Sequence, residues 1–185
     1  MPLGDSFPGV LAAARAGGEW AWAELYKDLA PTVLGYLRLR GAPDPEDTLG
    51  EVFLQIVTGL EKFDGGEAEF RTWAMSLAHR RAIDAYRKAA RRPAVPVGDA
   101  LADLAEGIED VEAQGLDRLQ AADALRVIRT LSPDQQDVLL LRLVAGLTGE
   151  EVAQILGKRV TAVKALQRRG VAALRKKLSG EGVSR

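Results

Sequence analysis

Asp47 and Glu51 stand one helical turn apart in this chain of 185 residues, and Gln55 follows a further turn on. Paired carboxylates can do general acid–base work, one giving a proton while the other takes one. Such a pair needs a nucleophile, an orienting partner or a metal beside it. The chain holds a single histidine, His79, no cysteine, no glycine-rich phosphate loop and no nucleophile placed with a base at a motif spacing. No residue is therefore assigned to catalysis, to a metal or to a cofactor, and Asp47, Glu51 and Gln55 read as a polar stripe on a helix. The lack of cysteine also excludes disulfides, thiolate metal sites and thiol redox sensing by this chain.

The remaining residues able to do chemistry are cations, whose chemistry is attraction of phosphate. Lys158 to Lys177 carries eight Lys or Arg residues and no acid, and Arg80 to Arg92 carries six against the single acid Asp84. Between them, Asp99 to Asp123 holds eight acids and one base, Arg118. The formal net charge of -1 thus hides three blocks, and the local sign is what a nucleic acid meets. Arg80, Arg81, Arg87, Lys88, Arg91 and Arg92 have two readings: a solvated face, or a phosphate-binding face in which each neutralised phosphate adds about 0.9 to the salt slope of binding.

Helices must position these groups. Ala, Leu, Glu and Arg dominate and strand signals are poor, so the fold class is all-α. Residues 1–6 read as a loose start. Phe7, Val10, Leu11 and Ala14 share a face of a short helix that Gly17-Gly18 ends. From Glu19 to Arg40 the apolar face is Trp22, Leu25, Tyr26, Leu29, Val33, Leu34 and Leu37, with Pro31 as a kink or restart. Asp44-Pro45 is an N-cap followed by proline at the first helical position. The helix begun there turns Leu49, Val52, Phe53, Ile56, Val57 and Leu60 inward, and Gly50 weakens it by about 1 kcal/mol relative to alanine. A loop over 62–67 leads to a helix over 69–90 that buries Phe70, Leu77 and Ile83. Trp73 shares that face, and is either core or an aromatic able to stack on unpaired bases.

Residues 92–98, rich in proline, mark a domain boundary, and the acidic stretch 93–116 reads as a flexible linker. Periodicity returns at Leu119, Ala122, Leu125 and Ile128. Ser132-Pro133-Asp134-Gln135 is a capping box with proline at the first helical position, opening a helix through Val138, Leu139, Leu141, Leu143 and Val144 that stops at Gly146. A second box, Thr148 with Glu151, opens a helix whose face is Val152, Ile155 and Leu156. Ala153 is small where helices would cross, Gly157 suits a turn of positive φ, and Val163 and Leu166 give the next helix its apolar side. This is the spacing of a helix-turn-helix, whose second helix enters the DNA major groove. Two amphipathic helices of an ordinary bundle would show the same apolar pattern, but not the run of one sign on the second. The tail after Leu178 reads as disordered. The expected architecture is two small helical domains, residues 1–92 and 117–185, joined by the acidic linker.

With these motifs in order, the chain resembles bacterial sigma factors of the extracytoplasmic-function (ECF) group over about residues 7–178. Three signatures carry the resemblance: D-T-L-G-E-V-F at Asp47–Phe53, where the family usually has D-x-x-Q-E-x-F; F-R-T-W at Phe70–Trp73, continuing into A-H-R-R-A-I-D at Ala78–Asp84; and L-S-P-D-Q-Q-D-V-L-L-L-R at Leu131–Arg142, running into the helix-turn-helix. The resemblance implies that Asp47, Glu51 and Gln55 face the clamp helices of the largest subunit of core RNA polymerase. It implies that the 69–90 helix reads and melts the −10 promoter element through His79, Arg80, Asp84 and Arg87. The loop from Phe63 to Glu67, with Phe63 and Asp64, would sit where the family captures a base flipped from the non-template strand, whose extrusion costs a few kcal/mol, and Trp73 is counted with the −10-binding residues.

The resemblance further implies that Thr161, Ala162, Lys164, Ala165 and Arg168 read the −35 element while Arg159 and Arg169 meet phosphate. The linker would run near the polymerase's RNA exit path. Two positions depart from the family: Gly50 replaces a glutamine, and Ala165-Leu166 stands where many relatives have serine and arginine. The family's regulators are anti-sigma factors, and without thiols here any redox or zinc sensing falls to that partner. The other reading is a stand-alone helix-turn-helix regulator with an N-terminal interaction domain. No apolar run approaches the roughly 20 residues that cross a membrane, and no signal-peptide pattern opens the chain. The expected location is therefore the cytoplasm, with no membrane insertion.

Overall fold

A computed structural model describes residues 2–90 and 127–181. All elements among the described residues are helical. The chain divides into two compact units, Met1–Arg91 and Arg92–Arg185. The expected linker 93–116 and the periodic residues Leu119, Ala122 and Leu125 lie outside the described residues.

In the N-terminal unit a 3-10 turn, Gly4–Ser6, leads into α1 (Phe7–Arg15), followed by α2 (Glu19–Arg40) and α3 (Pro45–Gly59). A second 3-10 turn, Leu60–Lys62, precedes α4 (Glu67–Ala90). The side chains of Phe7, Val10, Leu11 and Ala14 are buried, as the spacing predicts. Helix α2 runs unbroken through Pro31. Proline removes the bond to the Lys27 carbonyl, but both residues are exposed, so that carbonyl is open to water.

Asp44 caps α3 by accepting from the Asp47 N–H at 3.2 Å. Its buried face is Leu49, Val52 and Ile56, continued by Leu60. Val57, expected inside, is 48 % exposed because the spacing 49, 52, 56, 60 carries the buried stripe past it. Tyr26, also expected inside, is half exposed and holds its ring 4.6 Å from that of Phe53.

Helix α4 starts two residues earlier than expected, at Glu67. The Gly66 N–H donates to the Glu69 carboxylate at 3.0 Å, which is half of a capping box. Phe70, Ala74, Ala78 and Ala82 recur every fourth residue on its buried face, and α4 packs on both α2 and α3. Ile83, expected in this core, is only partly buried.

The start of the chain is not loose. The Leu3 and Gly4 N–H groups each donate to the Glu67 carboxylate at 2.8 Å. Arg71 meets Glu67 at 3.1 Å and Asp28 of α2 at 2.5 Å. Burial raises the Glu67 carboxyl, but the two N–H groups and the guanidinium outweigh it and hold it below its ordinary value. Burial likewise lowers Arg71, and Asp28 and Glu67 together carry it above its ordinary value.

The C-terminal unit holds α5 (Pro133–Leu143), α6 (Gly149–Leu156) and α7 (Val160–Glu181), with α7 packed on both of the others. Both predicted capping boxes are formed. The Ser132 N–H donates to Gln135 at 3.2 Å, and the Thr148 N–H donates to Glu151 at 2.6 Å. Gly157 supplies the turn with φ 60, and the Lys158 N–H returns to the Ala153 carbonyl at 2.9 Å. Val138, Leu139, Leu140, Leu141, Val152, Ala153 and Val163 form the core with Val127, Ile128 and Leu131.

Leu143, expected inside, is 65 % exposed on the last turn of α5. Helix α7 continues to Glu181, past the tail expected after Leu178. It crosses α5 where a Cβ on Gly170 would lie 2.9 Å from Leu139 Cδ1.

A carboxylate whose folded pKa is lowered adds stability that is fully present above its unfolded pKa and lost as pH falls through the folded one. Glu67→Gln should therefore destabilise the protein near neutral pH and converge with the parent at low pH. Urea unfolding between about pH 3 and 7 checks this; a gap independent of pH would remove the charge from the explanation.

Candidate functional site

Three surfaces carry the predicted site residues. The first is the stripe on α3. Asp47 and Glu51 are exposed and Gln55 is half-buried. The group that meets Glu51 is a guanidinium rather than a second carboxylate: Arg81 Nη1 of α4 lies 3.3 Å from Glu51 Oε2. With the Gln55 amide oxygen facing α4, that oxygen accepts from Arg81 Nε at 3.2 Å and from Nη2 at 2.5 Å. Arg81 belonged to the basic end of α4 by sequence, yet it turns back onto α3 and leaves the phosphate-binding candidates. Gly50 is exposed, and a Cβ there would meet nothing within 4 Å, so the departure from the family pattern leaves a bare spot.

The second surface is the loop before α4 and the outer face of that helix. Phe63 stacks on Trp73 with centroids 5.3 Å apart and planes at 21°, and it meets buried Phe70 edge-on at 5.3 Å. Trp73 is half-buried, so the ring joins the core on one side and remains partly open on the other. Gly59 makes room for it: a Cβ there would lie 2.7 Å from Trp73 Cζ2. Arg15 of α1 holds the loop by donating from Nε to the Leu60 carbonyl at 3.3 Å and from Nη2 to the Phe63 carbonyl. Asp64 at the loop tip is exposed.

Arg80, Asp84 and Arg87 are exposed along α4, and Arg80 Nε donates to the Ser76 carbonyl at 3.2 Å. His79, expected beside them, is not on this surface. It is 7 % exposed, with Nδ1 2.8 Å from the hydroxyl of fully buried Tyr36. A buried ring nitrogen needs a partner, and Tyr36 supplies one, so His79 belongs to the core. Tyr36 follows Val33 and Leu29 at helical spacing, which was the available signal. Tyr86, next to Arg87 on α4, is an aromatic 60 % exposed that no motif in the sequence marks.

The third surface is the first half of α7. Val163 is fully buried and Leu166 partly so, which turns Arg159, Thr161, Ala162, Lys164, Arg168 and Arg169 outward and leaves Ala165 half-buried. Arg169 Nε bonds back to the Ala165 carbonyl at 3.3 Å, and Lys158 pairs with Asp134 at 2.9 Å. Lys164, Arg168 and Arg175 line one groove with Gln167, Val171 and Ala172. The cationic face therefore extends to Arg175, which its spacing from Lys164 and Arg168 had already allowed.

The Sigma-70 region 2 family matches residues 25–92, and the Sigma-70 region 4 family matches residues 121–174. The chain is 32 % identical over 163 residues to the ECF RNA polymerase sigma factor BldN of Streptomyces coelicolor, covering 87 % of this chain and 61 % of BldN. It is 27 % identical over 189 residues to the ECF sigma factor SigD of Mycobacterium tuberculosis, covering 97 % of this chain and 87 % of that one. The chain carries Sigma-70 regions 2 and 4 and is similar to ECF sigma factors.

The sigma factor RpoE of Bartonella quintana, solved in complex with the anti-sigma factor NepR, shares its fold with this chain. The TM-score is 0.67 at 17 % identity, over 89 % of this chain and 98 % of that one. The region 2 match contains both the α3 stripe and the aromatic loop, and the region 4 match contains the exposed residues of the first half of α7. No described helix is long and apolar enough to cross a membrane.

Gly59→Ala tests the aromatic platform. A methyl group cannot share the space of a rigid indole, so Trp73 should leave its stack on Phe63, shifting one of the resonances in fluorotryptophan NMR. Were the spectrum unchanged, the Gly59 contact would not set the ring's position.

Proposed function

We propose that this protein is an ECF-type sigma factor that binds core RNA polymerase and directs initiation at promoters with its own pair of upstream elements. In this reading region 2, within residues 1–92, supplies polymerase binding through Asp47, Glu51 and Gln55. It also supplies −10 recognition and melting through Phe63, Asp64, Trp73, Arg80, Asp84 and Arg87. His79 supports the DNA-reading helix from within. The acidic stretch 93–116 is the linker. Region 4, within residues 117–185, reads the −35 element through Thr161, Ala162, Lys164, Ala165 and Arg168, with Arg159 and Arg169 on phosphate.

The observation that carries the reading is the pairing of two matched sigma regions with exposed residues of suitable chemistry in each. The Phe63–Trp73 platform offers a stacking surface for an unpaired base, worth about 1–3 kcal/mol per base. The protein is an initiation factor without catalytic activity of its own, working in the cytoplasm where polymerase and promoters are. An anti-sigma factor is its regulator, as the complex of the related RpoE with NepR supports.

In-vitro transcription with purified core polymerase and fragmented host DNA tests this. New transcript ends sharing a common pair of upstream elements are expected only when the protein is added. Lys164→Ala and Arg168→Ala should each lower use of those promoters about tenfold or more, the loss of one base contact of about 1–3 kcal/mol, and leave core binding intact. Specific duplex binding without core, and no new starts with it, would favour a stand-alone helix-turn-helix regulator instead.

A further inference from the structure

Arg81 makes polar contacts to two residues of one α3 stripe: Glu51 at 3.3 Å, and Gln55 at 3.2 and 2.5 Å. An ion pair this exposed contributes little to stability, so holding α3 against α4 is a weak reason for it. Its geometric effect is larger. A guanidinium is a planar fork whose donors point in fixed directions. It restricts the Glu51 side chain and takes up the Gln55 amide oxygen, which leaves the amide nitrogen as the group a partner can meet.

We infer that Arg81 is a positioning residue for polymerase binding. It sets the rotamers of Glu51 and Gln55 and decides which end of the Gln55 amide faces outward, so that the stripe presents acceptors at Asp47 and Glu51 and a donor at Gln55. The inference rests on the reading of this stripe as the polymerase contact. Because the fork lies on α4, the helix proposed to read the −10 element, it also joins the two binding surfaces of region 2 through one side chain.

Long flexible side chains lose rotamer freedom on binding, and a surface that has already ordered them binds more tightly. The test is the affinity of the full-length protein for purified core polymerase, without DNA. Arg81→Ala should weaken binding about tenfold and leave the melting temperature and far-UV circular dichroism essentially unchanged. Arg81→Lys, which keeps the charge but loses the fork, should recover only part of the affinity. Gln55→Glu, which keeps a partner for Arg81 but removes the outward donor, should also weaken binding. In a Glu51→Ala/Gln55→Ala background, adding Arg81→Ala should change nothing further.

Parent-like affinity of Arg81→Ala beside a weakened Glu51→Ala/Gln55→Ala variant would overturn the positioning role and leave the stripe as a polymerase contact. Losses that add in full would make Arg81 a direct contact and overturn it as well. Unchanged affinity of the Glu51→Ala/Gln55→Ala variant would overturn the reading of the stripe itself, and the inference with it.

Discussion

Helix α4 has to lie in the core and on the working surface at once, and the rest of the N-terminal unit is arranged around that requirement. Its inner face repeats Phe70, Ala74, Ala78 and Ala82, all buried. Small side chains at a helix contact let the axes approach. Long groups can then bridge the helices: the Tyr36 hydroxyl of α2 finds His79, and Arg81 of α4 finds Glu51 and Gln55 of α3. Arg80, Asp84 and Arg87 lie exposed on the side away from these residues. Bulkier residues at 74, 78 or 82 would push α4 outward and break these contacts together.

The entrance to α4 is fixed with equal care. Arg15 draws the carbonyls of Leu60 and Phe63 toward α1, and Glu67 binds the backbone of Leu3 and Gly4. These bonds fix the two sides of the short loop that bears Phe63. In the proposed reading Phe63 receives a base, and a ring already ordered avoids an ordering cost that would subtract from affinity. Residues of the first fifteen thus hold the loop in place, Arg15 by bonding Phe63 directly and Leu3 and Gly4 through Glu67.

What sequence alone could read follows the range of the interactions. The helix caps, the turn at Gly157 and the faces of α1, α6 and α7 depend on residues within about one or two turns of one another, and their spacing shows in the chain. The fate of His79 depends on Tyr36, and that of Arg81 on Glu51 and Gln55, all on other helices. Periodicity can say that such a residue lies near a boundary between faces, but not which neighbour claims it. Val57 and Leu143 fail for a different reason: an apolar residue next to a buried stripe looks like part of it until the helix's rotation is known. The pinned start of the chain depends on a carboxylate 64 residues away from Leu3, and nothing local announces it.

Helix α7 spans 22 residues, about 33 Å, and its later part is seated against α5 at Gly170 while its first turns hold Thr161, Ala162, Lys164 and Arg168 away from the core. Substitutions at exposed positions of this kind usually shift stability by no more than about 0.5 kcal/mol. The shaft is anchored in one place and carries its lettering in another. Under the proposed −35 reading, descendants of this chain can exchange those letters one at a time and shift their duplex preference with little change in the stability of the fold.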